Sequence, residues 1–288
     1  MKRSRRPGDI LRGFFLLCHP GPVLLNVTAV TVFALLATWP LVRWNILMLV
    51  IAAHLAMQLS IAIFNDYCDR ERDVLSKKNK PIVQGLILPR EALITTCLLM
   101  FIMVILLIPL NPLALLISLF YLACGQSYNL GLKTTPLSGI VFALAIPLIP
   151  VYAFVGVDRF VPLVLWQMPV AALLGVALHL ANALPDIEQD VANQLHNLTV
   201  VLGRRGSLAI CSLLILLAAL VIGILTTTGI VPAQLKILLP IWLFAIIAVI
   251  VLFIVFSRKK SHQAYQTYFY LVVLLCLVLA GGWLISAA

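Results

Sequence analysis

The sequence predicts an all-α membrane protein with about nine transmembrane helices and its N-terminus in the cytoplasm. Of its 288 residues, 63% are hydrophobic and only 10% are charged, whereas soluble domains carry about 25% charged residues. Apolar segments of about 20 residues, the length that crosses a bilayer, recur from residue 22 to the C-terminus. This composition excludes a soluble enzyme, a nucleic-acid-binding protein and a disordered chain as the main interpretation.

The predicted spans form a single polytopic membrane domain over residues 1–288. Pro109 and Pro112 lie between the third and fourth segments and favour a tight turn over one very long helix. No connecting loop is long enough to form a separate soluble domain. The spans are expected near residues 22–40, 44–64, 92–110, 113–130, 138–156, 162–184, 207–228, 233–256 and 265–286.

The distribution of basic residues predicts the orientation in the membrane. With the N-terminus placed in the cytoplasm, 17 of the 20 Lys and Arg residues lie on the cytoplasmic side. Cytoplasmic loops of membrane proteins carry such an excess of positive charge, which also explains most of the net charge of +10. The expected location is the cell membrane, with the active site on the cytoplasmic side.

The acidic residues are few and concentrated. Seven of the ten lie in two short clusters, at residues 66–73 and 186–190. The Asn, Asp and Asp of the first cluster recur at the same offsets 117 residues later, which indicates two halves of one site. Offsets of three, four and seven return to the same side of an α-helix, so each cluster is expected to form one stripe. Stacked like charges repel and are costly near a membrane, so a compensating positive charge is expected.

Carboxylates beside an amide oxygen suit a hard divalent cation. Mg²⁺ binds through few carboxylates, keeps some water, and takes its remaining ligands from substrate phosphates. The candidate metal ligands are Asn65, Asp66, Asp69, Asp73, Asn182, Asp186 and Asp190, and the candidate diphosphate-binding residues are Arg72, Lys77, Lys80, Lys133 and Arg204. The alternative is that the acids only balance the charge of the basic loops.

These motifs resemble those of the UbiA superfamily of membrane prenyltransferases. The first motif, N-D-x-x-D-x-x-x-D, is complete over residues 65–73, and residues 80–87 are similar to the K/R-P-…-G-x-I loop of the family. Residues 128–133 are similar to its Y-S-…-L-K stretch, and Asp186 with Asp190 matches its D-x-x-x-D motif. The resemblance covers essentially the whole chain, and the first motif with its loop is highly specific.

The resemblance implies a fold of nine helices around a central cavity and a Mg²⁺-dependent prenyl transfer. The first motif would bind one magnesium–diphosphate group, and Asp186 and Asp190 would hold a second. Lys133 and one of Lys77 or Lys80 would neutralise the leaving diphosphate. Ionisation of the allylic C–O bond, assisted by metal charge, would give a carbocation that a hydrophobic acceptor, expected to be aromatic, then attacks.

The chain departs from the family pattern in three places. Ala183 stands where many members have Asp, and residues 196–199 stand where a K-T-x-P-like segment is usual. His19-Pro20 stands in place of an early Arg-Pro pair. These positions bear on the acceptor and on the second metal, so they leave the substrate open more than the ionisation machinery.

Four further polar residues are candidates to line the substrate cavity. For His179, the alternative is a buried, hydrogen-bonded helix residue. For Tyr128, it is an aromatic side chain that packs against other residues or lies at the membrane interface. His19, just before the first span, can equally lie at the membrane interface or contact phosphate. The four candidates are His19, Asn26, Tyr128 and His179.

Two other functions stay open on sequence alone. A terpene cyclase on the same scaffold needs the same ionisation site, but its cation is attacked by a double bond of its own chain. An ion or solute transporter also has intramembrane acids and repeated halves. Transporter sites usually lie near the bilayer midplane, whereas these acids lie at helix ends beside a basic loop, so their position favours the enzyme.

Overall fold

The computed structural model describes residues 5–76 and 79–287, and every regular element in these two ranges is helical. Three short 3₁₀-helices connect the α-helices, at Leu132–Thr134, Pro162–Trp166 and Leu184–Asp186. The α-helices are α1 (Pro7–Leu17), α2 (Pro20–Thr38), α3 (Trp44–Ser76), α4 (Pro89–Leu107), α5 (Pro112–Leu130), α6 (Ser138–Gly156), α7 (Gln167–Ala183), α8 (Ile187–Ala192), α9 (Leu198–Thr227), α10 (Leu235–Phe256) and α11 (His262–Ala287).

Within the described ranges, 9 helical segments are long and apolar enough to cross a membrane. Eight of these segments lie on single helices, α2 to α6 and α9 to α11, and the ninth is α7 together with the short helices on either side of it. The all-helical fold with about nine spans is therefore confirmed. The cytoplasmic position of the N-terminus stays a prediction.

Helix α3 runs about three turns beyond the end predicted for the second span. The prediction stopped at residue 64 because the apolar segment ends there, but the helix continues to Ser76. Charged residues do not end a helix in the way that Gly and Pro do, and residues 65–80 contain neither. The first acidic motif is therefore carried on a continuous α-helix, and its predicted stripe is observed.

The second acidic motif does not lie on one continuous α-helix, as the stripe prediction required. Helix α7 ends at Ala183, a 3₁₀ turn covers Leu184–Asp186, and α8 carries the rest of the motif. Pro185 explains the interruption, because proline lacks an N–H and its ring clashes with the carbonyl four residues earlier. Asn182 and Asp190 are consequently not aligned by a simple helical repeat.

Helix α1 was not predicted, because its 11 residues are too few to span a bilayer. Pro7 occupies its first turn, where a missing N–H costs nothing. Its buried side packs on the segment 80–87, since a Cβ on Gly13 would come within 2.7 Å of Ile87. Leu11 and Phe15 on the other side are exposed. Helix α1 therefore supports the loop that follows the first acidic motif.

The contacts of the chain divide it into two compact units. Unit 1 comprises Met1–Leu130 and Leu148–Val161, and unit 2 comprises Gly131–Pro147 and Pro162–Ala288. In unit 1, α3 packs along α2, α4 and α5. In unit 2, α7 packs along α9 and α11, and α10 packs against α11. The single domain over residues 1–288 stays a prediction.

Helices α3 and α5 of unit 1 run parallel in close contact. Three pairs connect them, Gln58 with Tyr121, Ile61 with Gly125 and Asn65 with Asn129. Both members of the pairs advance along the chain in the same direction. Gly125 allows the close approach, because a Cβ there would lie 2.7 Å from the Ile61 Cδ1 atom. The C-terminal turns of α5 therefore lie beside the start of the first acidic motif.

A glycine substitution tests the packing of unit 2. A Cβ on Gly175 would lie 2.7 Å from the backbone oxygen of Phe142, which cannot move without shifting α6. Gly175→Ala should therefore lower the free energy of unfolding by about 1–3 kcal/mol, measured by thermal denaturation in detergent. Gly281→Ala is the control, because a Cβ there meets nothing within 4 Å. Equal stability of the two variants would contradict the packing.

Candidate active site

The first acidic motif is largely buried at the C-terminal part of α3. Asp66 and Asp73 are only 2% and 6% exposed, and Asp69 lies between them on the same stripe of the helix. A buried carboxylate is strongly destabilising unless it is paired or hydrogen-bonded. The positive partners of this stripe therefore define what the site can bind.

One oxygen of Asp66 accepts hydrogen bonds from two basic side chains. The Lys80 ammonium donates to Asp66 Oδ1 at 2.6 Å, and His19 Nε2 lies 2.9 Å from the same oxygen. Lys80 and His19 are themselves 3.4 Å apart. Asp66 Oδ2 is also buried, and it has no hydrogen-bond partner among the described residues. The carboxylate thus keeps one oxygen open for a further cation or donor.

His19 reaches Asp66 because of its backbone conformation. It separates α1 from α2 with φ 45°, in the left-handed region, which is uncommon for residues other than glycine. Pro20 follows it and disfavours a helical conformation of the residue before it. The chain therefore turns at His19 and directs the imidazole to α3. The sequence, in which His19-Pro20 replaces the early Arg-Pro pair of the family, did not predict the contact of His19 with Asp66.

An ion pair near the N-terminus anchors the far end of the segment 80–87, which begins with Lys80. Arg5 binds both carboxylate oxygens of Glu91, at 2.6 and 2.8 Å, and also donates to the carbonyl of Leu86 at 3.2 Å. The hydrogen bond to Glu91 raises the pKa of Arg5 above its ordinary value. The segment 80–87 is thus fixed at its far end beside α1.

Asn65 is oriented by α5. Its Nδ2 atom donates to Asn129 Oδ1 at 2.8 Å, and Asn129 Nδ2 donates to the carbonyl of Ile61 at 2.9 Å. Asn129 was not among the predicted site residues, although it lies within the segment 128–133 that resembles the family. The sequence feature that could have identified it is that Asn129 stands where the Y-S stretch of the family has Ser.

Other predicted residues of unit 1 have less direct positions. Arg72 Nη1 lies 3.8 Å from Asp69 Oδ1, with about half of its side chain exposed. Asn26 donates to the carbonyl of Pro22, and its Oδ1 accepts from Tyr121 at 3.4 Å. Tyr128 is half-buried near the end of α5. Lys77, a candidate diphosphate-binding residue, lies outside the described residues.

The second acidic motif, in unit 2, has its own partners. Asn197 Nδ2 donates to Asp190 Oδ2 at 2.7 Å, while Asn197 Oδ1 caps α9 by accepting from the Val200 N–H. Asp186 Oδ1 lies 3.9 Å from His262 Nδ1. Asn197 therefore connects the motif to the start of α9, which gives a physical role to one of the departures from the family pattern.

The remaining predicted residues of unit 2 have different surroundings. Arg204 forms an ion pair with Glu188, a neighbour of the motif acids. Asn182 is exposed, and Lys133 is half-buried in the 3₁₀ turn after α5. His179 is buried, with Nε2 2.9 Å from Ser138 Oγ and its ring stacked on Phe142. His179 thus contributes to the packing of α6 on α7.

The donor set is suited to a hard cation that brings further ligands with it. No three His, Cys, Asp or Glu side chains in the described ranges converge on one metal position. Mg²⁺ does not need such a cage, because it binds through one or two carboxylates plus water and substrate phosphates. The open, buried Oδ2 of Asp66 and the amide of Asn65 beside it on α3 are oxygen ligands of that kind.

The fold and this arrangement define a helical membrane protein with two acidic motifs, each beside basic residues. The UbiA prenyltransferase family model matches residues 25–275. The chain therefore belongs to the UbiA prenyltransferase family.

Comparison with individual proteins agrees with this assignment. The chain is 32% identical over 155 residues to 4-hydroxybenzoate octaprenyltransferase of Neisseria meningitidis serogroup C, covering 51% of each chain. A second such enzyme, from Burkholderia ambifaria, is 29% identical over 169 residues, covering 56% of this chain and 57% of the other. The chain thus spans about half the length of the curated relatives it matches.

Solved structures share the fold over almost the whole chain. A UbiA homolog from Archaeoglobus fulgidus, bound to DMAPP and Mg²⁺, superposes with a TM-score of 0.73 at 17% identity, covering 95% of this chain and 99% of the other. A digeranylgeranylglyceryl phosphate synthase superposes with a TM-score of 0.76 at 16% identity, covering 97% and 99%. At these identities the likeness shows the fold alone.

The Lys80–Asp66 pair gives a stability prediction. Lys80→Met should leave the buried Asp66 carboxylate with His19 only and lower the free energy of unfolding by about 3 kcal/mol. The measurement is thermal denaturation of the purified protein without added metal. Lys236→Met, at an exposed lysine on α10, should change the midpoint little. A Lys80 variant as stable as this control would show that Asp66 does not depend on the ion pair.

Proposed function

We propose that this protein transfers a prenyl group from an isoprenoid diphosphate to a hydrophobic, aromatic acceptor in a Mg²⁺-dependent reaction. The observation that carries the proposal is the Asp66 carboxylate, buried on a membrane-spanning helix with Lys80 and His19 on one oxygen and the other oxygen open. Membership of the UbiA prenyltransferase family and the DMAPP and Mg²⁺ bound to the Archaeoglobus fulgidus homolog support it.

Each unit contributes its own acids and its own basic residues. In unit 1, the ligands proposed for one metal–diphosphate group come from α3, and Arg72 and Lys80 would bind phosphate oxygens. In unit 2, Lys133 and Arg204 would have the corresponding role beside the second motif. The proposed metal ligands are Asn65, Asp66, Asp69 and Asp73 in unit 1 and Asn182, Asp186 and Asp190 in unit 2.

The side chains around Asp66 would act by holding charge in fixed positions. The Lys80 ammonium has three donors, and the one used on Asp66 leaves two for phosphate oxygens. His19 lies 2.9 Å from the same Oδ1 and helps to hold the carboxylate in place. Because these groups are fixed by the fold before substrate binds, they need little reorganisation as negative charge develops on the leaving diphosphate.

Bound Mg²⁺ would supply positive charge to the diphosphate oxygens while the bond between the allylic carbon and oxygen breaks. The apolar helices would keep water away from the resulting carbocation. An electron-rich carbon of the acceptor would form the new bond to it and then lose its proton to solvent, while the diphosphate leaves. His19, Asn26, Tyr128 and His179 are the polar residues proposed to face substrate. Of these, Asn26 has the polar partner Tyr121 on α5, and His179 is already engaged with Ser138.

The acceptor class is proposed from the curated relatives. Those named above are 4-hydroxybenzoate octaprenyltransferases, so a hydroxylated aromatic carboxylate is the first acceptor to test. A glyceryl phosphate is the contrasting acceptor to test, because the digeranylgeranylglyceryl phosphate synthase has the same fold. Because the two curated relatives named are bacterial, the cell membrane is the proposed location, with the diphosphate bound from the cytoplasmic side.

Removing one acid of the first motif tests the reaction site. Asp69→Asn keeps the shape of the side chain but removes its charge, and we expect turnover to fall by about 100-fold or more. The measurement is Mg²⁺-dependent release of diphosphate from a prenyl diphosphate by the purified protein. Asp158→Asn, at an exposed acid outside both motifs, should retain activity. Normal turnover of the Asp69 variant would place the metal site elsewhere.

Product analysis tests the reaction class. We expect mass spectrometry to find prenylated 4-hydroxybenzoate after incubation with prenyl diphosphates of several lengths, Mg²⁺ and 4-hydroxybenzoate, and no prenylated product when a glyceryl phosphate is offered instead. A cyclised hydrocarbon formed without any acceptor would indicate a terpene cyclase instead. Absence of diphosphate release with every chain length, together with ion flux in liposomes, would indicate a transporter.

A further inference from the structure

We propose that Asn129 is a positioning residue that turns the amide oxygen of Asn65 toward the metal. The inference rests on the proposed function, in which Asn65 is a metal ligand. Asn129 is only 3% exposed, and it lies on α5, one helix away from the acidic motif. It would not touch the metal or the substrate, so its effect would pass entirely through Asn65.

The hydrogen bonds of Asn129 leave its amide only one orientation. Its Nδ2 atom donates to the Ile61 carbonyl at 2.9 Å and to Gln126 Oε1 at 3.2 Å. An amide nitrogen has two hydrogens and accepts nothing, so both are used. Turning the amide over would place its oxygen against the Ile61 carbonyl, a backbone oxygen that can only accept. Asn129 Oδ1 must therefore face Asn65.

This orientation determines which atom of Asn65 faces α5. The Asn65 atom that lies 2.8 Å from Asn129 Oδ1 is Nδ2, since an oxygen there would bring two acceptors together without a hydrogen. Asn65 Oδ1 is consequently the atom that α5 does not use. A hard cation binds an amide through its oxygen. Asn129 thus selects the side-chain orientation in which Asn65 can act as a ligand.

The close approach of α3 and α5 fixes the contact between Asn129 and Asn65. Ile61 lies one turn before Asn65 on α3, and Gly125 lies one turn before Asn129 on α5. A Cβ on Gly125 would lie 2.7 Å from Ile61 Cδ1, so the glycine is what allows the helices to approach here. Asn129 then binds the same turn of α3 twice, through the Ile61 carbonyl and through the Asn65 side chain. Its position relative to Asn65 is therefore fixed.

Two substitutions at Asn129 separate orientation from packing. Asn129→Leu has a similar volume but no polar atoms, so it would leave Asn65 free to turn. Asn129→Asp can still accept from Asn65 Nδ2, so it would keep the orientation, but it loses both donated hydrogen bonds and is expected to be less stable. Only the leucine variant should therefore lose the preferred orientation of Asn65.

Gln58→Leu is the matched control. Gln58 is also a buried amide of this helix pair, and it donates to Tyr121 on α5 at 3.0 Å. Its substitution removes a polar contact between α3 and α5 two turns before Asn65. A loss of stability shared by the Gln58 and Asn129 variants would be a packing effect, whereas a change in metal binding confined to Asn129→Leu would be the positioning effect.

The experiment is a calorimetric titration of Mg²⁺ into the full-length protein in detergent with saturating inorganic diphosphate. Asn129→Leu should weaken Mg²⁺ binding by about 10- to 100-fold, as loss of a residue that orients a metal ligand does. Asn129→Asp and Gln58→Leu should bind Mg²⁺ at least as tightly as the wild type. In turnover assays, excess Mg²⁺ should restore the rate of Asn129→Leu, so that the apparent KM for Mg²⁺ changes and kcat does not.

Two results would overturn the inference, and they are distinguishable. Wild-type affinity for Mg²⁺ in Asn129→Leu, or the same loss in Gln58→Leu, would contradict the role of Asn129 and leave the proposed function intact. No Mg²⁺ binding by the wild-type protein with diphosphate would contradict both. If Asn129→Leu does not fold, weakened Mg²⁺ binding by the folded Asn129→Asp variant would contradict the inference.

Discussion

A carboxylate buried on a membrane-spanning helix is the constraint on which unit 1 depends. Asp66 is 2% exposed, and an isolated charge in such a place is very costly. Lys80 and His19 compensate it on one oxygen, and each is positioned by other parts of the unit. His19 requires the turn between α1 and α2, and Lys80 requires the segment that α1 and the Arg5–Glu91 pair hold in place.

The same constraint accounts for the chemistry proposed for the site. A fully compensated carboxylate would be an inert structural ion pair, whereas Asp66 retains a buried oxygen without a hydrogen-bond partner among the described residues. Asparagine side chains recur as the groups that hold the acidic motifs. Asn129 orients Asn65 in unit 1, and Asn197 binds Asp190 while capping α9 in unit 2. An amide suits this task because it donates and accepts at once.

Much of the fold was predictable from local sequence properties. The lengths of the apolar segments predict the membrane spans, and the spacing of the acids predicts the stripe of the first motif. Both properties depend only on neighbours along the chain. Helical spacing does not hold in the second motif, because Pro185 interrupts the helix there. The pairing of Lys80 with Asp66 could be predicted in part, because the stripe of acids requires a positive charge beside it. Asn129, Asn197 and His262 were not identified, because their roles depend on contacts between helices that no spacing rule specifies.

The central claim is that the first acidic motif binds diphosphate through a divalent cation. The most direct measurement is the affinity of the purified protein for a prenyl thiodiphosphate, an analogue whose carbon–sulfur bond resists cleavage. The analogue is titrated into the protein once in buffer with Mg²⁺ and once in buffer with EDTA. We expect Mg²⁺ to tighten binding by at least about tenfold, or about 1.4 kcal/mol, and Asp69→Asn to remove this difference. Equal affinity with Mg²⁺ and with EDTA in the wild-type protein would contradict it.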